Sequence, residues 1–279
     1  MNHLKPTEIL EQTVNSGIAK AGGSFKKLLI LGIMAGAYIA FAGAAANMGA
    51  FNLLLEAGTF GLGKILSGTI FTGGIIMVTL AGAELFTGNS LMTLAVLEKK
   101  ITVSKLLRNW IIVYIANFIG SVLIAWMVAN TGILASGSDM LGAFTVKVAA
   151  GKVNMTFLQC LISGILCNWL VCLAVWSATG ASTTVGKVFA LFFPVWLFVT
   201  GGFEHSVANM YFIPAGIFAS SNEIFATLSG ASAEALANLT WEGMIINNLI
   251  PVTIGNIIGG GFFVATLYWL AFKGGKNNA

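Results

Sequence analysis

The chain has 279 residues, of which 57% are hydrophobic and only 9% charged, against roughly 25% charged in an ordinary soluble domain. With 34 glycines and 4 prolines, that balance excludes a soluble globular domain and points to an all-α, polytopic membrane protein. The formal charge of +4 does not mark a nucleic-acid partner, because the basic residues flank the apolar runs instead of forming one patch.

Residues 1–25 are polar up to the first apolar run at Lys26, so they read as a cytosolic amphipathic arm rather than a cleaved signal peptide. Apolar runs bounded by charge or turn residues then predict six spans, at 26–49, 63–97, 105–133, 156–178, 186–220 and 244–272, with a cytosolic tail at 273–279. The second and fifth runs exceed the ~20 residues that cross a bilayer, and each carries a polar interruption. These are "GAELFTGN" (Gly82 to Asn89) and "GGFEHSVAN" (Gly201 to Asn209). Two half-helices joined by an irregular link explain each run, and such backbone survives at membrane depth only when buried in protein or lining a cavity. The interruptions fall in matching places in the halves 26–133 and 156–272, the signature of an inverted 3+3 repeat and a pointer to a transport site.

Of the 14 Lys and Arg residues, cytosolic termini leave eleven inside and only Lys64, Lys147 and Lys152 outside. The link 221–242 carries Glu223, Glu234 and Glu242 and no Lys or Arg, which agrees with both termini lying in the cytosol. Cys160, Cys167 and Cys172 share one apolar run without metal-ligand spacing and read as small packing residues. Gly32 with Gly36 and Gly255 with Gly259 have the four-residue spacing of close helix packing. The small-residue faces of the first and sixth spans are therefore candidate seams between subunits.

Ionisable groups at bilayer depth cost a few kcal/mol, so Glu204 and His205 need partners. Glu84 and Glu204, with Asn89 and Asn209 beside them, are expected to hold the two breaks in shape, the carboxylates accepting from backbone N–H groups freed there. The imidazole of His205 can donate from one nitrogen and accept at the other, and an unperturbed ring titrates near pH ~6.5, which suits exchange of a proton with a weak acid. Thr87 places a hydroxyl at the first break, to replace an ion's hydration or to bond its own backbone. Asn168, mid-span, reads as a helix-to-helix hydrogen bond, and Lys152 taken alone as a solvated lysine. Leu85, Phe86, Phe71, Ile75, Val171 and Phe198 taken alone read as packing.

Three blocks, "AGAELFTGN" at 81–89, "GILCNWLVCLAVW" at 164–176, and "GGFEHSVANM" at 201–210 followed by "NNLIPVTIGNIIGGG" at 247–261, strongly resemble the formate/nitrite transporter family. The resemblance implies an aquaporin-like fold with broken second and fifth helices, assembled as a homopentamer in the prokaryotic inner or plasma membrane, each protomer with its own pore. It makes His205 the central pore histidine and Thr87 its neighbour, and gives Lys152 and Asn168 the task of drawing in and handing on the anion. It sets Leu85, Phe86 and Phe198 as a constriction on one side of the histidine and Phe71, Ile75 and Val171 on the other. The implied substrates are small monovalent anions of weak acids, formate first, then nitrite and hydrosulfide, moved by a channel or with protons, with no cofactor or metal. Two rivals stand beside it. A neutral-solute pore of aquaporin type is opposed by the absence of an Asn-Pro-Ala triplet and by the pore histidine. An intramembrane serine hydrolase using Ser163 or Ser206 with His205 is opposed by the adjacency of Ser206 to the ring and by the lack of a glycine turn before Ser163.

Overall fold

A computed structural model describes residues 3–273; beyond Lys273 the expected tail lies outside the described residues. The first helix, α1 (Pro6–Ala21), starts where Glu8 Oε2 accepts the Lys5 N–H at 2.6 Å, with proline in its first turn. Its buried face of Ile9, Leu10 and Val14 packs on the chain rather than leaving the helix a free arm. Three residues further on, Ser24 caps α2 (Phe25–Leu55), whose return partner is α3 (Phe60–Ala81). Gly82, at φ 81°, ends α3 in the left-handed conformation that glycine adopts without steric cost. After the link 83–87, α4 (Gly88–Leu97) begins as a tight 3-10 turn, and α5 (Val103–Ala129) completes the first half.

The second half repeats the plan with α6 (Met140–Val153), α7 (Phe157–Gly180), α8 (Thr184–Gly201) and α9 (Ser206–Ala219). Gly202, at φ 76°, ends α8 as Gly82 ends α3. Short helices α10 (Glu223–Leu228) and α11 (Ala233–Ala237) lead to α12 (Trp241–Phe272), which contains wide π turns at Met244–Leu249 and Ile258–Thr266. Among the described residues six helices are long and apolar enough to cross a membrane, with broken second and fifth spans. The apolar runs do not announce α6, which lies in a stretch the sequence leaves between the halves. It ends three residues before the cap of α7, as α1 ends three residues before the cap of α2.

Packing is mirrored as well. α2 lies on α5 and α7 on α12, both through glycine. A Cβ on Gly36 would strike the backbone of Asn117, and one on Gly255 the carbonyl of Leu161. The glycine faces of the first and sixth spans are thus consumed inside the chain by close backbone approach, which corrects the expectation that they form seams between subunits. Large apolar residues point outward instead, in stripes four residues apart: Ile111, Ile115, Ile119 and Leu123 on α5, and Val185, Phe189, Phe193 and Leu197 on α8. The three cysteines are free and buried.

Candidate functional site: a histidine between two helix breaks

At each break the freed backbone groups need partners, and one asparagine from the last span of each half supplies them. Phe86 N–H donates to Asn117 Oδ1 at 2.9 Å, while Asn117 Nδ2 donates to the carbonyls of Gly32 (2.8 Å) and Glu84 (2.9 Å). Ser206 N–H donates to Asn256 Oδ1 at 2.9 Å, and Asn256 Nδ2 donates to the carbonyls of Gly164 (2.8 Å) and Glu204 (3.0 Å). The expectation that the glutamate side chains serve these N–H groups is therefore corrected. An amide both donates and accepts, which a carboxylate cannot.

The glutamates instead anchor two matching side-chain clusters. Glu84 Oε2 accepts from Lys20 Nζ and from Asn89 Nδ2, each at 2.8 Å, and Asn89 Nδ2 also reaches Asn109 Oδ1 at 2.8 Å. Glu204 accepts Lys152 Nζ on Oε1 and Asn209 Nδ2 on Oε2, each at 2.6 Å; Asn209 Nδ2 reaches Asn248 Oδ1 at 2.7 Å. Lys152 is thus a partner of a buried carboxylate rather than a solvated lysine. The clusters differ in detail, because Asn248 Nδ2 also reaches Glu204 Oε2 at 3.3 Å, a bond that Asn109 does not make to Glu84 among the described residues. Lys20 Nζ also donates to Asn89 Oδ1 at 2.8 Å, whereas Asn209 Oδ1 is buried without a partner and Lys152 Nζ sits 5.5 Å over the Phe212 ring. Sequence reasoning missed Lys20, Asn109, Asn117, Asn248 and Asn256. The available signal was a pair of asparagines eight residues apart in the third span, 109 and 117, repeated in the sixth as 248 and 256.

His205 is the N-cap of α9. Its Nδ1 accepts the Ala208 N–H at 3.0 Å, and its Nε2 lies 2.8 Å from Thr87 Oγ1. An accepting Nδ1 carries no proton, so the neutral ring keeps its proton on Nε2 and donates it to Thr87; the tautomer follows from this network. Both breaks therefore meet at one hydrogen bond. The ring stacks on Phe198 at 5.8 Å, and Phe198 meets Phe71 edge-on at 5.9 Å. With His205 as its floor, a cavity of about 310 Å³ opens on the α6 side, lined also by Phe71, Phe198, Lys64, Lys147, Lys152 and Glu204. Phe71 and Phe198 thus form one aromatic contact on the same side of the histidine, which corrects the division that placed them on opposite sides. That division fails because α3 and α8 pack side by side, bringing the two phenylalanines together.

Leu85, Phe86, Ile75 and Val171 lie in the buried core around the breaks, outside this cavity. Phe86 packs edge-on against Tyr114 at 4.9 Å and Trp110 at 6.0 Å. Asn168 is fully buried, its Nδ2 within 2.7 Å of Asn256 O and 3.2 Å of both Thr87 O and Ser90 Oγ. It ties α7 to the first break and to α12. Neither serine of the hydrolase alternative meets the ring, since Ser163 Oγ accepts from Glu204 N–H at 3.0 Å and the Ser206 hydroxyl has no partner.

Comparison with known proteins agrees with this architecture. The family model described as formate/nitrite transporter matches residues 7–270. The probable formate transporter of Methanothermobacter thermautotrophicus is 41% identical over 260 residues, covering 88% of this chain and 89% of that one. The formate channel FocA of Escherichia coli (strain K12) is 36% identical over 277 residues, covering 96% and 94%. Among solved structures, a pentameric formate channel with formate bound matches at 36% identity and TM-score 0.79, covering 89% of this chain and 97% of that one. An FNT family ion channel matches at 27% identity and TM-score 0.79, covering 95% and 99%. The chain, a multi-pass membrane protein with two mirrored breaks joined through a histidine, belongs to the formate/nitrite transporter family.

Proposed function

We propose that the chain forms a homopentameric channel for a small monovalent anion of a weak acid, formate first and nitrite or hydrosulfide as alternatives, each protomer carrying its own pore. The likeness to a pentameric formate channel with formate bound supports this. The observation that carries it is the His205–Thr87 hydrogen bond at the floor of a lysine-lined cavity. With both termini cytosolic in a prokaryotic cell membrane, the α6 side is the outer side. The anion enters over the lysines and meets the Phe71–Phe198 contact, where a bare charge loses its hydration at high cost. Below it, Thr87 accepts from His205, so its own hydroxyl proton is free to donate to the anion. A second proton on His205 would have to sit on Nδ1, breaking the bond from Ala208 and freeing a helix N-terminal donor. The ring therefore acts first as the neutral group that orients Thr87, and proton-coupled movement requires that the cap be released. No catalytic step is involved.

His205→Asn tests this cleanly, because asparagine is itself a favoured N-cap and keeps the Ala208 bond, while its shorter side chain cannot reach Thr87. The variant is expected to assemble normally in liposomes and to conduct formate roughly tenfold more slowly, the scale of one lost hydrogen bond. Undiminished flux, with the same curve against pH as the parent between about pH 5 and 8 where histidine titrates, would remove His205 from the mechanism.

A further inference from the structure

The cavity above His205 is lined by three lysines and one glutamate, three positive charges against one negative, a net +2. Low-dielectric walls around such a cleft focus its field and concentrate anions. Only one of the three cations is matched. Lys152 lies 2.6 Å from Glu204 Oε1, and an anion taken there must displace that carboxylate. Lys147 stands exposed on α6, while Lys64 is half-buried on the α3 wall; among the described residues neither has an ion-pair partner. Among the described residues Lys64 also makes no hydrogen bond, although its ammonium has three donors to place.

Lys64 Nζ lies against Gly202 at the second break, 3.2 Å from where a Cβ on that residue would stand. It is near enough to the Lys152–Glu204 pair to feel both charges. Ser67 and Phe71 follow Lys64 at i+3 and i+7 on the same helix face, leading from the ammonium to the aromatic constriction. The Ser67 hydroxyl and the side-chain amide of Asn47, only 7% exposed on α2, line the same cavity and make no hydrogen bond among the described residues.

We infer that Lys64, with Ser67 and Asn47, forms a second anion subsite, separate from the Lys152–Glu204 pair, that holds a small monovalent carboxylate in front of the Phe71–Phe198 contact. An ammonium, a hydroxyl and an amide N–H offer three kinds of donor to two carboxylate oxygens. The subsite rests on the channel reading only for its place in a permeation path; the binding itself is a property of the cavity.

Binding is read without flux by a reporter thiol. Val148→Cys places a cysteine on the cavity wall, and the three native cysteines are buried, so a neutral methanethiosulfonate reports on that position in detergent-purified protein. Formate is expected to slow its labelling, with the half-protecting concentration raised roughly fivefold by Lys64→Met, the scale of a partly exposed charge pair, and restored by Lys64→Arg. Lys64→Gln replaces the methionine variant if that does not assemble. Equal protection with and without Lys64, or none in the parent, overturns the subsite; the latter is the result expected if Lys64 serves a lipid phosphate. Formate flux through the parent in liposomes is measured separately. A parent that is protected but does not conduct sinks the channel reading and leaves the subsite standing, whereas one that conducts with Lys64-independent protection does the reverse.

Discussion

Lys20 and Lys152 hold equivalent posts in the two halves, yet their surroundings give the two ion pairs unequal weight. The side chains of Lys152 and Glu204 are 16% and 6% exposed, against 27% and 11% for Lys20 and Glu84. Removing one partner of a buried pair leaves the other charge uncompensated and costs about 3–5 kcal/mol. Glu204→Ala is expected to reach that range, and Glu84→Ala, whose lysine turns more readily to water, about 1–3 kcal/mol. Thermal melts of the two variants in mild detergent check the order; equal losses would mean that exposure does not decide the cost. The glutamates were legible in the sequence as residues needing partners, but the partners were not. Lys152 is 52 residues from Glu204 and Lys20 is 64 from Glu84, so no local window shows either pair.

The breaks themselves were legible, because an apolar run too long for one crossing cannot stay a single helix through a polar motif that opens with glycine, and both α3 and α8 end in a left-handed glycine. What fixes the links was harder to see, since Asn117 and Asn256 look like single amides in apolar spans. Asn256→Leu strips partners from the Ser206 N–H and the carbonyls of Gly164 and Glu204, at about 1–3 kcal/mol for each buried group left unsatisfied. It should fail to give a monodisperse protein, and a Leu variant as stable as the parent would show that the break is held elsewhere. Helix α6 escaped notice because, at fourteen residues, it is too short to read as a span, and nine of those residues are buried, which blurs any helical period. At the other end, α4 is tied to α12 by Glu98, which accepts from Trp269 Nε1 at 2.7 Å and from Lys273 Nζ at 3.3 Å. Burial alone would raise the Glu98 carboxyl, but these two donors outweigh it and hold the group below its ordinary value of 4.5. A depressed carboxylate stabilises the fold fully above the unfolded value and loses that contribution as pH falls through the lower folded value. The gap in melting temperature between the parent and Glu98→Gln should therefore be present at pH 7 and shrink in acid; a gap constant with pH would refute the tie.

On the scale of the whole molecule, the mirrored halves leave a protomer whose small residues face inward and whose large apolar residues face outward. The sequence shows the spacing of the glycines but not which helix lies against them, so an internal contact and a subunit seam look alike until the chain is folded. Once Gly36 and Gly255 are spent on α5 and α7, the surface left for a partner or for lipid is made of outward large apolar residues, among them the stripes of Ile, Leu, Val and Phe on α5 and α8. Closed rings are the usual outcome when such faces meet through one rotation, and the pentamer proposed above makes two separable claims. Native mass spectrometry in mild detergent should show five copies of the 29.2 kDa chain; a stable monomer or tetramer would count against the assembly. Gly36→Leu should act differently from a change at a seam, because its side chain would meet the Asn117 backbone within the same chain. Overpacking there is expected to lower the yield of folded protomer while the fraction that does fold remains pentameric. If Gly36→Leu instead yields folded, stable monomers, this face lies between subunits, and the internal packing of α2 on α5 is wrong.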